Sequence, residues 1–214
     1  MSPAAALPAV SERERALLAT AELWASAGYD GLSVEAICSR AGISADAFES
    51  LFPNVEAAAV AAIEVPLAAV VRIVADLFSP DRSEAESYAM AIVSILELMA
   101  ANPAYAYVSY VARRQVAPSG VHSVYASGHR FLVAMLERLW EGSGLKDQPG
   151  CAALAALGAA EAVIRREIVA GRYERLPALA PDCVYIATVP FLGQKEAARL
   201  ARATESLTEN RPQA

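Results

Sequence analysis

The chain has 214 residues, of which 56% are hydrophobic and 20% charged, and its formal net charge is −6. Alanine supplies 48 of them, and because it favours helix and disfavours strand, that content excludes an all-β fold and argues against extended disorder. The acidic balance gives no global attraction to nucleic acid. No uninterrupted apolar run reaches the ~20 residues of a membrane helix, since Ala57–Val71 is broken by Glu64 and Pro66.

Cys38, Cys151 and Cys183 are widely spaced and form no CxxC pair, which fits reduced thiols in a cytosol and a cytoplasmic protein. The pattern predicts an all-α chain of about nine helices. Residues 1–10 read as a loose arm without the basic segment of a signal peptide. Ser11 and Glu14 make a capping box that opens helix one, whose apolar face is Leu17, Leu18, Ala21, Leu23 and Trp24; Gly28 ends it. Ser33 caps helix two, Ala41-Gly42-Ile43 is a tight turn, and Ser44 caps helix three, which runs to about Leu51. Helix four spans roughly 55–78. Ser83 and Glu86 form a second capping box for helix five, which ends near Asn102. Pro103 suits the first turn of helix six, which stops before Pro118. Helix seven covers about 121–141, the loop EGSGLKDQPG follows, and helix eight covers about 151–170. After a connector over 172–182, Pro181 opens helix nine, and the tail frays from Thr208. Pro66 and Pro190 each remove a helical hydrogen bond and are expected to kink helices four and nine. The expected units are an arm (1–10), a head (11–56), a body (57–207) and a tail (208–214).

Two short helices joined at Ala41-Gly42-Ile43 and braced by a third have the helix-turn-helix layout, in which the later helix enters the DNA major groove. Arg15, Ala21, Leu23, Ala25, Gly28, Tyr29, Ser33, Val34, Ile37, Arg40, Ala41, Gly42, Ile43, Ser44, Phe48, Phe52 and Glu56 stand at the spacing of one known domain. Through them residues 13–63 resemble, without gaps, the N-terminal domain of the tetracycline-repressor (TetR/AcrR) family of transcriptional regulators. Residues 177–203 resemble the final helix of many of its members. The resemblance implies a homodimer joined by helices eight and nine, a pocket for a small apolar or aromatic ligand among the middle helices, and operator DNA as partner. It implies DNA contacts at Ser33, Ser44, Ala45, Asp46, Ala47, Glu49, Ser50 and Val55.

The positions that fold the motif match the family better than those that touch DNA. Glu49 stands where the family has a phosphate-contacting tyrosine, Leu51 where it has histidine and Val55 where it has lysine. Over 11–56 three basic residues (Arg13, Arg15, Arg40) face eight acidic ones, a net charge of −5. DNA affinity comes largely from neutralising phosphates, so this head has few anchors. The carboxylate of Asp46 equally suits the dipole of a helix N-terminus, and Glu49 a solvated face.

On helix seven, His122, Tyr125, His129, Leu132 and Leu136 recur at steps of three and four and share one face. The two histidines are about 10.5 Å apart along the axis, too far to share a metal. On helix six, Tyr107, Tyr110 and Arg114 share a face. Aromatic walls with a few polar tips suit a small-molecule site, and ordinary core packing accounts for them as well. The ligand candidates are Tyr107, Tyr110, Arg114, His122, Tyr125 and His129. On helix eight, Ala152, Ala153, Ala155, Ala156, Gly158, Ala159 and Ala160 make a smooth surface that another helix can approach, and Glu161 and Arg165 stand at ion-pair spacing.

The expected function is a ligand-responsive transcriptional regulator, a repressor, whose pocket ligand controls operator binding. The alternatives are a small-molecule-binding protein or enzyme on the same scaffold without DNA binding, which the acidic head favours, and a partner-binding structural dimer. No phosphate loop, nucleophile elbow, zinc signature or nucleotide fingerprint is present, so no metal or cofactor is expected and catalysis would rest on the Tyr/His cluster.

Overall fold

The computed structural model describes residues 11–78, 81–112, 119–141 and 150–209. Among these residues there are nine α-helices and no strand: α1 Glu12–Ala27, α2 Val34–Ala41, α3 Ala45–Leu51, α4 Val55–Leu77, α5 Glu84–Ala101, α6 Pro103–Tyr110, α7 Ser119–Glu141, α8 Ala152–Val169 and α9 Ala180–Glu209.

The helix starts follow from side chains that satisfy otherwise unpaired backbone donors. Both capping boxes form. Glu14 N donates to Ser11 Oγ at 3.2 Å while Ser11 N donates to Glu14 Oε2 at 2.8 Å, and Ser83 and Glu86 repeat the arrangement. Ser33, Ser44 and Asn54 accept from the backbone N–H groups of Ala36, Ala47 and Ala57 at 3.1, 3.1 and 2.8 Å. Between α2 and α3, Gly42 sits at φ 64°, ψ 44°, the left-handed conformation that a Cβ would strain.

Leu17, Ile37, Phe48 and Phe52 pack with Ala58, Ala61 and Ala62 of α4, so the head closes its core on the first half of that helix. Trp24 joins a second cluster with Ala59, Ile63, Val108 and Ala112, which ties α1 to α4 and α6. The body core runs through α5, α7, α8 and α9, with Leu96, Met99, Leu136, Ile168 and Phe191 as its large buried side chains. After α5 the chain turns by 116° into α6. Two glycines let α7 press against α4: a Cβ on Gly120 would lie 3.1 Å from Glu56 Oε1, and one on Gly128 would lie 2.9 Å from Leu67 Cδ1.

Three sequence expectations change: where helix six ends, where helix nine breaks, and whether the apolar run of helix four is interrupted. Helix six ends at Tyr110, well before Pro118, and Arg113 and Arg114 lie outside the described residues. The break in α9 falls at Gly193 (φ 73°, ψ 166°), three residues beyond Pro190. A proline costs one helical hydrogen bond, whereas only the glycine takes up the left-handed φ that interrupts the helix. Pro66 lies inside α4, which stays one helix from Val55 to Leu77. Because Glu64 and Pro66 do not interrupt it, α4 is long and apolar enough to cross a membrane on length and composition, as is the stretch Tyr173–Glu205. In this fold α4 uses that hydrophobicity internally, burying Ala58, Ala59, Ala61, Ala62, Ile63, Pro66 and Val70. The arm over 1–10, most of the loop after α7, and the tail from 210 lie outside the described residues.

Candidate DNA-reading head and ligand cavity

On α3, Ala45, Asp46, Glu49 and Ser50 are exposed, Ala47 and Leu51 are half-buried, and Phe48 points into the head core. The alternation follows from helical geometry: Phe48 anchors the inner side, and the residues flanking it at i−2, i+1 and i+2 turn outward. Ser33 and Ser44 are exposed and act as N-caps, and Val55 packs against the head core. The outward face of the second helix of the motif thus carries two carboxylates and no cation.

The three head arginines are engaged within the fold. Arg40 Nε contacts Glu22 Oε2 at 2.8 Å. Arg15 Nε donates to the Ala41 carbonyl at 3.0 Å, bracing α1 against the end of α2. The Arg13 guanidinium lies over the Phe52 ring, 5.7 Å from its centroid. Arg15 and Arg40, two of the residues that carry the family resemblance, therefore hold the motif together.

Two apolar chambers lie behind the head, between α4 and the helices α5 to α8. The first is lined by α4 (Ile63, Pro66, Leu67), α6 (Ser109, Tyr110) and α7 (Tyr125, Gly128, His129). The second lies deeper, against Tyr88, Ile92, Met135, Leu157 and Cys183. Val70, Tyr110, Leu132 and Glu161 line both and form the wall between them. Each chamber holds about 80 Å³. That is below the ~300 Å³ at which ligand pockets usually begin, so a ligand of ordinary size would have to swing the shared wall aside and join the two.

The chamber chemistry is hydrophobic with a few polar tips. Tyr125 Oη donates to the Val108 carbonyl, fixing α7 against α6. Burial, with lesser contributions from Cys183 and Tyr110, pushes the Tyr88 phenol well above its ordinary range. Burial likewise pushes the Cys183 thiol up to about 12, which keeps it protonated and unreactive. Both groups therefore present neutral hydrogen-bonding surfaces to the second chamber.

Of the ligand candidates from the sequence, Tyr110, Tyr125 and His129 line the first chamber. His122 is exposed and lines neither, Tyr107 packs into two core clusters, and Arg114 lies outside the described residues. The sequence reading missed Glu161 and Pro66 as chamber residues. Glu161 is the only carboxylate in the first thirteen residues of α8, and a lone acid in an alanine-rich helix was the available signal. Among the described residues no group of three or more His, Cys, Asp or Glu could hold a metal ion.

Residues 16–62 match the profile of the family described as bacterial regulatory proteins, tetR family. No curated protein matches the chain. Solved structures share its fold. The fatty acid degradation regulator FadR from Bacillus halodurans is 16% identical, with a TM-score of 0.72, covering 84% of this chain and 98% of its own. FadR from Bacillus subtilis, solved in complex with stearoyl-CoA, is 18% identical, with a TM-score of 0.67 and coverage of 84% and 97%. A TetR-like transcriptional regulator from Rhodococcus sp. RHA1 is 24% identical, with a TM-score of 0.63 and coverage of 82% and 96%. Likeness at these identities establishes a common architecture that runs through head and body alike.

Proposed function

We propose that this chain, whose N-terminal head belongs to the tetR family of bacterial regulatory proteins, is a ligand-responsive transcriptional regulator of the repressor type. The observation that carries the reading is the paired apolar chamber: it is walled on one side by α4, the helix on which the head closes its own core. A ligand that displaces Pro66, Leu67 or Val70 acts on the same rod that seats the head. The ligand class is apolar and elongated, because the chambers lie in series and meet at a shared wall. His129, Tyr125 and Tyr110 would supply its polar contacts. Stearoyl-CoA, which the Bacillus subtilis relative holds, is the first probe. The regulator works as a homodimer through α8 and α9, on operator DNA in the cytoplasm.

The test is fluorescence anisotropy of the protein on duplexes from its own upstream region and on random duplex, with and without stearoyl-CoA. Preferential binding to the upstream duplex, weakened at least tenfold by the ligand, supports the reading. Leu132→Trp, which fills the shared wall, should keep DNA binding and lose the response. Equal binding to both duplexes at low salt overturns the regulator reading. It would then favour the second reading, a ligand-binding protein without DNA, which rests on the acidic outer face of α3 and on the internal engagement of all three head arginines.

A further inference from the structure

We propose that the guanidinium groups gathered at the end of α8 form a binding site for an oxyanion of the phosphate type. Residues 165–175 hold four arginines and two glutamates, a net charge of +2 in a chain whose net charge is −6. The segment joins the last turn of α8 to the short turn Tyr173–Arg175. Its organising group is the Glu167 carboxylate, which is buried. Arg166 Nε stands 3.0 Å from Glu167 Oε1 and Arg172 Nε 2.7 Å from Oε2, while Arg175 Nη1 stands 4.0 Å from Oε2. One negative charge thus gathers three positive ones. Arg165 and Glu174, in the same segment, offset each other, so the excess of two positive charges remains. The site shares no residue with the two chambers and does not depend on the regulator reading.

The directions of the hydrogen bonds select the ligand. Arg166 and Arg172 each donate to Glu167 through Nε. Their Nη groups meet no acceptor among the described residues. Arg175 lies beyond hydrogen-bond distance of Glu167 and keeps its whole fork of donors. The side chains of Arg172 and Arg175 are 41% and 64% exposed, so their donors reach solvent. A planar fork of N–H groups matches two oxygens of one oxyanion. The buried carboxylate holds Arg166 and Arg172 by one edge, which orders them before the ligand arrives and lowers the cost of binding. Tyr173, between Arg172 and Arg175, lines a groove against Leu18 and Glu22 of α1, so the bound group sits beside the joint of head and body. Two sources present this chemistry, a small phosphorylated molecule and the backbone of DNA.

The experiment is isothermal calorimetry of the full-length protein, without DNA, titrated with inorganic phosphate at an ionic strength held constant with sodium chloride. Phosphate should bind, with a heat that chloride does not give. Arg175→Gln should lower the affinity at least threefold. It removes no hydrogen bond from Glu167, and an exposed charge at that distance adds little to stability, so the variant should fold, which circular dichroism checks. Arg172→Lys keeps a cation for Glu167 but loses the fork, and should weaken binding likewise. Arg72→Gln, the same change of charge at an exposed position of α4, should leave phosphate binding unchanged. The proposal is overturned if phosphate gives no binding up to tens of millimolar, or if Arg175→Gln and Arg72→Gln act alike. A salt titration on random duplex separates the two sources of a phosphate that does bind. A slope lower by about 0.9 in Arg175→Gln than in the parent assigns the site to the DNA backbone. An equal slope assigns it to a small phosphorylated molecule.

Discussion

Glu167 shows how much one side chain can hold. Its carboxylate is buried at the end of α8 and accepts from Arg172 Nε at 2.7 Å and Arg166 Nε at 3.0 Å, with Arg175 at 4.0 Å. The Arg172 hydrogen bond, then that of Arg166, hold its carboxyl down at about 2 against an ordinary 4.5. A depressed carboxyl stabilises the fold above the unfolded value and loses that contribution as pH falls through the folded one. Glu167→Gln should therefore lower the melting temperature at pH 7, with a smaller difference from the parent at pH 2.5. A melting series between those values reads it directly. The same reasoning applies in reverse on α3, where Asp46 and Glu49 face outward with no structural partner required of them. Two like charges a few ångströms from phosphate each oppose binding by about 1 kcal/mol in water. The double variant Asp46→Gly/Glu49→Tyr should bind upstream duplex roughly tenfold tighter once salt screening is allowed for. In a salt titration the parent should show a shallow slope, because each neutralised phosphate adds only ~0.9 to it. A steep slope in the unmodified protein would show that cations from elsewhere in the chain reach the backbone.

Whole elements were the most legible part of the sequence. Ser11, Ser33, Ser44, Asn54 and Ser83 are each followed three residues on by the backbone N–H their side chain accepts, and a local interaction needs no knowledge of the rest of the fold. What escaped was tertiary. The stripe on α7 gives the face correctly, but periodicity does not say how far along the axis a cavity extends. His122 lies in the first turn, exposed, while His129, two turns on, reaches the first chamber. Glu161 reads as half of a surface ion pair until α4 and α7 are brought over it. Helix nine supplies a test at this scale. A Cβ at Gly193 would meet open space, so the strain of Gly193→Ala is conformational alone, about 1–3 kcal/mol for a residue with a side chain at positive φ and extended ψ. Urea denaturation should show the midpoint falling with the m-value unchanged. An unaltered midpoint would mean that α9 straightens without cost.

At the scale of the molecule, one face of α8 is unspent. Leu154 and Val169 are 53% and 60% exposed, and Gly158 and Ala162 between them are exposed too, at helical spacing. Large apolar side chains on a smooth helix face suit a symmetric partner, the same patch on each copy. Leu154→Glu with Val169→Glu should convert a dimer into a monomer in light scattering at micromolar concentration, with helix content retained. A parent protein that is already monomeric under those conditions would remove the dimer proposal. Head and body are also more closely joined than the sequence suggested. Trp24 belongs to one cluster with Ile63 and Val108, so the boundary near residue 56 marks a change of role within a continuous core.

The four outward residues of α3 add nothing to the packing that makes the head fold, which rests on Phe48 and Phe52 against Leu17 and Ile37. Under the proposed function, reading and folding are written in separate alphabets on the same seven-residue helix. The outward letters can change at a cost limited to the ~0.3–1 kcal/mol that a first-turn acid such as Asp46 gains from the helix dipole, so an acidic α3 keeps the fold of the motif. For the engineer the same separation makes this surface interchangeable: a new Ala45, Asp46, Glu49 and Ser50 quartet should redirect the target sequence at nearly constant melting temperature.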